Sequence, residues 1–244
     1  MFNIYIDDII KKVSNSNYSC NLRFTCVSIF MYADDLILLS PSVTLLQKIF
    51  QVVEDELNAM EMSINPAKSS CIRFCPRYEE AVCTEIATQD GSKIPWVKSC
   101  KYLGTEMFSS SSFKCVFDTA KKSFYKSFNA IFGKIGRYAS EDTVIHLLKV
   151  KCLPVLLYSL NACPVSASDH KSLDFTIFRT LAKIFGTFSQ EIIKECRLSF
   201  NIPDAADLVK KHKVNFLMRY SASENLLCQI FAINSTSEMI GHRK

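Results

Sequence analysis

No stretch of this sequence is long and apolar enough to cross a bilayer as a helix. The best run, Val27 to Leu39, is interrupted by two aspartates and is too short. The run from Val144 to Val165 carries His146, Lys149 and Lys151 and reads as a buried helix. No secretory or targeting signal leads the chain. Met1 runs straight into Phe2-Asn3-Ile4-Tyr5, as though the sequence begins inside a structural element. Zinc spacing is missing too. Cys71 and Cys75 are the closest pair among 11 cysteines, and no second Cys/His pair accompanies them. The odd count and the absent signal favour reduced thiols of an intracellular protein over a disulfide framework. His146, His170 and His212 stand in no partner pattern. There is no internal repeat and no low-complexity tract.

What is present describes a globular chain. Its 244 residues are 48% hydrophobic and 22% charged, enough for one large domain or two small ones. The net charge of +5 permits a polyanionic partner without requiring one.

The periodicity divides the chain. Ile4, Ile9, Ile10 and Val13 suit a short helix that frays at Ser14-Asn15-Ser16-Asn17. Arg23 to Met31 and Leu36 to Leu39 are two strand-like runs joined by a short polar turn, a β-hairpin with aspartates at its tip. Pro41-Ser42 opens a helix whose buried face is Leu45, Leu46, Ile49, Val52, Val53, Leu57 and Met60, with Glu54, Asp55 and Glu56 on its other side. Ile64-Asn65-Pro66 stops it. Ser70 to Phe74 is a possible strand, Asp90-Gly91 is a turn between two weak strands, and Cys100 to Met107 holds another short strand.

Ser109 to Ser112 is a polar break, and helical patterns follow it. Phe113, Val116, Phe117, Ala120, Phe124, Phe128, Ile131 and Ile135 form an apolar stripe, with Lys114, Lys121, Lys122, Lys126, Lys134 and Arg137 around it. Ser140 caps a second helix that Pro154 kinks, and Ser166 with Asp169 forms a capping box for a third. Weaker helices start at Gln190 and Asp204. The expected class is α+β: an antiparallel sheet with packed helices in residues 1–108, then an all-helical region in 109–244.

Two near-identical tetrapeptides carry the chemistry, YIDD at residues 5–8 and YADD at residues 32–35. Adjacent carboxylates on a rigid hairpin can hold Mg²⁺, which keeps waters and takes further oxygens from phosphates. Two such ions can activate a 3′ hydroxyl and stabilise a leaving pyrophosphate. YADD has a legible strand on each side. YIDD is followed by Ile9-Ile10-Lys11-Lys12-Val13 with no return strand, so Asp7 and Asp8 read as exposed helix residues facing Lys11 and Lys12.

At this point a resemblance emerges. FMYADDLILLS resembles the catalytic hairpin of reverse transcriptases, specifically those of non-LTR (LINE-type) retrotransposons. FNIYIDDII is similar to the segment just before that hairpin, and MEMSINPAKSS to the next palm motif. VKSCKYLGTEM is similar to the motif whose hairpin supports the primer end. LKVKCLPVLLYSLNACPVSASDHKSLDFTIFR is similar to the helical region beyond the palm in Jockey/CR1-like members. The order of these segments carries more weight than any one of them.

The resemblance implies RNA-directed DNA synthesis, with Mg²⁺, deoxynucleoside triphosphates, an RNA template and a DNA primer. It implies Asp34 and Asp35 as the metal-binding carboxylates, Tyr32 beside the template-primer minor groove and Lys68 near the triphosphate. Lys101, Tyr102, Leu103 and Gly104 become the primer-supporting hairpin. The basic helix, with Lys121, Lys122 and Lys126, becomes a phosphate contact. Nucleus or cytoplasm follows from the family, and no membrane partner is expected. Two departures stand out. The family's further catalytic aspartate and its fingers lie upstream of the matching residues, so the expectation is a chain inactive alone, completed by an upstream palm and fingers segment if one is supplied. Glu61 also stands where a glycine usually ends the helix, and a non-glycine left-handed cap costs about 1 kcal/mol. Two other readings remain open: a non-enzymatic, transposon-derived nucleic-acid-binding module, and an unselected gene fragment.

Overall fold

The computed structural model describes residues 2–22, 24–74, 84–136, 138–232 and 238, with side chains from Ile6 onward. The expected positions of Arg23, Cys75 and Arg137 lie outside the described residues. The class is α+β, as expected. The chain forms two compact units, Met1–Cys100 with Ser109–Ser112, and Lys101–Phe108 with Phe113–Lys244.

The first unit starts with helix α1 (Phe2–Asn15). Short strands β1 (Asn21–Leu22) and β2 (Thr25–Cys26) pair, and then β3 (Ile29–Tyr32) and β4 (Asp35–Leu38) form an antiparallel hairpin. Helix α2 (Val43–Ala59) follows, capped by Ser42, whose hydroxyl accepts the Leu45 N–H. Ile6, Ile9 and Val13 of α1 pack with Ile29 of β3 and with Ile49 and Val53 of α2 in one buried cluster. The spacing of the three α1 residues puts them on one face, so burial and helical period agree.

The other flank of α2 differs from the expectation. Phe50 is buried against Ile86 and Ile94 of the strands β5 (Ile86–Ala87) and β6 (Lys93–Ile94). This hairpin also docks by its backbone. Gln47 donates to the Ala87 carbonyl at 2.8 Å and accepts the Ala87 N–H at 2.9 Å. Glu54 accepts the Gln89 N–H on both carboxylate oxygens, at 3.0 and 3.1 Å. Glu54 is therefore buried, not on a solvated face, because a backbone donor from a distant segment satisfies it. Asp55 is exposed, and Glu56 receives Lys12 at 2.6 Å.

Helix α2 ends early. Met60 is its cap, Glu61 sits at φ +57°, and the Glu61 and Met62 N–H groups bond the Asn58 and Leu57 carbonyls. This is a Schellman closure with glutamate in the left-handed place. Asn65-Pro66 forms the next turn instead of the helix stop. Ser70 to Phe74 makes no strand beyond a single bridge between Cys71 and Trp96.

The second unit holds the hairpin of β7 (Ser99–Tyr102) and β8 (Thr105–Phe108); the last two residues of β7 belong to this unit. Strand β9 (Lys114–Val116) pairs with β8, Glu106 opposite Val116 and Phe108 opposite Lys114. The apolar stripe expected from Phe113 is thus strand first and helix afterwards, because pairing with a neighbour outweighs the helical spacing of Phe113 and Val116. Helix α3 (Asp118–Ile135) then buries Phe124 and Phe128.

Helix α4 (Glu141–Leu147) is capped by Ser140 and passes into a π-helical turn over Leu148–Cys152 before α5 (Leu153–Leu156). Pro154 has no N–H for the Val150 carbonyl. The bond to Leu148 comes from Leu153, five residues on, which widens the turn where a kink was expected. Helices α6 (Ala167–Phe185), α7 (Gln190–Ser199), α8 (Ala205–Ser221) and α9 (Leu226–Ile230) complete the unit. The Ser166–Asp169 capping box is formed in both directions. One continuous core runs from Cys115 to Val209 and includes Leu148, Leu156, Leu160, Leu173, Ile177 and Leu181.

The nine described cysteines are free thiols. Burial, with the Cys163 thiol beside it, pushes Cys115 up to about 12, which leaves it without nucleophilic character. No helix among the described residues is long and apolar enough to cross a membrane.

Candidate active site

The YADD hairpin is fixed by its register. Ile29 lies opposite Leu38, Phe30 opposite Ile37, Met31 opposite Leu36 and Tyr32 opposite Asp35. Ile29, Met31, Leu36 and Leu38 all belong to the cluster built with α1 and α2. Side chains alternate along a strand, so Tyr32 and Asp35 share the opposite face, and directly opposed residues are neighbours. The hairpin is therefore held on one face by the core and presents tyrosine and aspartate on the other.

Ala33 and Asp34 form the two-residue turn. Ala33 has φ +54° and Asp34 does not share that sign, which is the sign pattern of a II′ turn. This turn prefers glycine first, so the tip carries strain. Asp34, Asp35 and Tyr32 are exposed. Neither carboxylate forms an ion pair with a described lysine or arginine. Asp7 and Asp8 contrast with this: Lys11 reaches them at 2.6 and 3.6 Å, which raises the pKa of Lys11, chiefly through its hydrogen bond to Asp7. Lys12, expected as a partner, pairs with Glu56 instead.

Lys68 is exposed at the end of the turn after α2. Asn65 builds that turn: its side chain accepts the Ala67 N–H at 3.0 Å and its carbonyl accepts the Lys68 N–H at 3.2 Å.

In the second unit, Leu103 and Gly104 form the turn between β7 and β8 at φ +45° and +80°, the sign pattern of a I′ turn. The Tyr158 hydroxyl donates to the Leu103 carbonyl at 3.0 Å. A Cβ on Gly104 would stand 3.0 Å from Tyr158 Cε1, so glycine there satisfies both the φ and the ring packed against it. Tyr158 carries no local sequence signal for this role. It lies 55 residues from Leu103, and no local pattern links the two.

Of the lysines on α3, Lys121 is held by Asp118 at 2.7 Å and by Ser172 at 2.9 Å, while Lys122 and Lys126 are exposed. Its hydrogen bond to Lys121 holds the Asp118 carboxyl below the usual range.

Two carboxylates with no cationic partner among the described residues suit a hard divalent cation that completes its shell with water and phosphate oxygens. Among the described residues no group of three or more His, Cys, Asp and Glu side chains converges, at Asp34 and Asp35 or elsewhere.

Residues 1–107 match the family model of reverse transcriptases (RNA-dependent DNA polymerases). The reverse transcriptase match takes in both tetrapeptides, the Asn65–Lys68 turn and the Lys101–Gly104 hairpin, and ends within β8. Reverse transcriptases use divalent metal ions, a nucleic-acid template and primer, and nucleotide substrates. No curated protein matches the chain.

Proposed function

We propose that residues 1–108 are part of the palm of a non-LTR, LINE-type reverse transcriptase and residues 109–244 its helical thumb and connection region. The carrying observation is the hairpin register, which leaves Asp34 and Asp35 at an exposed tip with no cationic partner among the described residues while the core holds the other face. Asp34 and Asp35 would bind Mg²⁺, and the metal would lower the charge cost of attack by a primer 3′ hydroxyl on a deoxynucleoside triphosphate. Tyr32, on the same hairpin face as Asp35, lies against the template-primer minor groove. Lys68 neutralises the leaving pyrophosphate. Lys101 to Gly104, braced by Tyr158, supports the primer end, and Lys122 and Lys126 contact phosphates of the RNA–DNA hybrid.

Two carboxylates bind the ions more weakly than a full set, so residues 1–244 alone do not extend a primer. A third carboxylate, where an upstream palm segment supplies one, would complete the site. The test is Mn²⁺ binding followed by electron paramagnetic resonance, beside primer extension on an RNA template. Asp34→Asn with Asp35→Asn is expected to weaken Mn²⁺ binding by at least about 10-fold, and Asp7→Asn with Asp8→Asn to leave it unchanged. Equal binding by both double variants would remove the YADD assignment. Extension by the parent chain would show the site complete as it stands.

A further inference from the structure

A cavity of about 580 Å³ opens between α3 and the C-terminal end of α6, within the second unit. Tyr125, Phe128 and Asn129 line it from α3, Arg179 and Lys183 from α6, and Phe188 from the turn beyond. Its volume is that of a small-molecule site. Gly186 closes α6 at φ +65°, and the chain then returns Phe188 to the cavity, where it is 72% exposed. A phenylalanine so exposed contributes little to the core and is a ready surface for another flat ring.

The charge is one-sided. The lining has two cations and no carboxylate. Lys183 Nζ lies 5.8 and 5.4 Å from the Phe128 and Phe132 ring centroids and donates to Asn129 Oδ1 at 2.9 Å. The Arg179 guanidinium lies 5.9 Å from the Phe175 centroid. Both side chains are positioned by rings and an amide, and neither pairs with a carboxylate among the described residues. The positive charge is fixed in place without being neutralised, so an anion entering the cavity displaces no carboxylate of the described residues.

We propose that this cavity binds an unpaired nucleotide of single-stranded nucleic acid. The base stacks on Phe188 and Tyr125, and the flanking phosphate meets Arg179 and Lys183. A single strand offers a flat ring and an anion a few ångströms apart, the combination this lining matches. A duplex offers phosphates but keeps its bases stacked, which leaves Phe188 unused. An acidic peptide satisfies the cations alone. The site is distinct from Lys121, Lys122 and Lys126, and it does not depend on what the YADD hairpin binds.

The test is fluorescence anisotropy of the full chain with a labelled 12-mer oligouridylate, against a duplex of equal length, over a range of salt. The parent is expected to bind the single strand. Phe188→Ala weakens that binding about 5- to 150-fold, the range for loss of one stacked base, and affects the duplex much less. Arg179→Ala weakens it and flattens the salt dependence by about 0.7 in the log–log slope, as for one phosphate contact on a single strand. Tyr138→Ala, at a residue 90% exposed and outside the cavity, changes neither. All three positions are exposed, so the variants retain the parent's melting curve. The inference fails if the parent does not bind the single strand, if Phe188→Ala binds as the parent does, or if Tyr138→Ala or the duplex shows an equal loss.

Discussion

YIDD and YADD differ by one residue and occupy opposite kinds of structure. In the first, Ile6, Ile9 and Val13 are buried, and Asp7 and Asp8 fall on the exposed side of α1 with Lys11 a turn away. In the second, Ile29, Met31, Leu36 and Leu38 alternate into the core, and the aspartates sit where the chain reverses. The carboxylates do not choose. The period of the apolar neighbours chooses, three to four in one case and two in the other. An aspartate pair on a helix finds its counter-charge at i+3 or i+4 in its own chain. An aspartate pair at a hairpin tip has no such neighbour and stays open to water or to a cation from outside the hairpin. This difference is the physical content of calling one pair structural and the other a candidate metal site.

The variable residue of each tetrapeptide breaks the comparison most sharply. Ile6→Gly removes a side chain 4% exposed from the α1 face and places glycine inside a helix. The loss is expected to be about 3–5 kcal/mol, from cavity formation and helix propensity together. Chemical denaturation should show it as a lower midpoint for the first unit. An unchanged midpoint would mean that α1 does not contribute to that core.

A third carboxylate sets the scale between the two pairs. Asp174 on α6 takes Arg197 at 3.1 and 2.8 Å and accepts the Ala205 N–H at 3.1 Å. Burial pushes its pKa up, but Arg197 and the Ala205 N–H outweigh that and hold the carboxyl below its ordinary range. The depressed pKa gives a stabilisation present above the unfolded-state value, near 4, and lost as pH falls through the lower folded value. Asp174→Asn should therefore cost about 1–2 kcal/mol at pH 7, discounted for partial exposure. It should also shrink the drop in melting temperature below pH 4. A variant that keeps the parent's acid transition would show that this pair does not govern it.

Legibility in the sequence follows the same division between local and distant causes. The hairpin around YADD, the helix carrying YIDD, the helix start at Ser42 and the Ser140 and Ser166 caps are readable because each is set by residues within one or two turns, whereas the left-handed place of Glu61 follows only from the family resemblance. Glu54 was misplaced because its partner is the Gln89 N–H, 35 residues on. Strand β9 was read as helix because its pairing with β8 is invisible to a helical count. Tyr158 under the Leu103–Gly104 turn, and the cavity between α3 and α6, depend on packing that no local pattern records. The local turns, caps and helix faces were thus legible, and the contacts between segments far apart in sequence were not.

The smallest effect inverts the largest. Ala33 occupies the position in YADD that Ile6 occupies in YIDD, but at φ +54° and exposed. A Cβ at positive φ costs about 1 kcal/mol, and glycine lacks it. Ala33→Gly should raise stability by up to about that amount, less the greater freedom glycine gains in the unfolded chain. Glu61→Gly is the control, since Glu61 carries the same sign of φ at +57° in a helix cap that is not part of an aspartate pair. If both variants gain stability in a denaturant titration, the strain at the YADD tip is ordinary backbone strain. If Glu61→Gly gains and Ala33→Gly does not, the tip is not held in the strained conformation in solution. The turn would then be free to adjust to the cation proposed for Asp34 and Asp35.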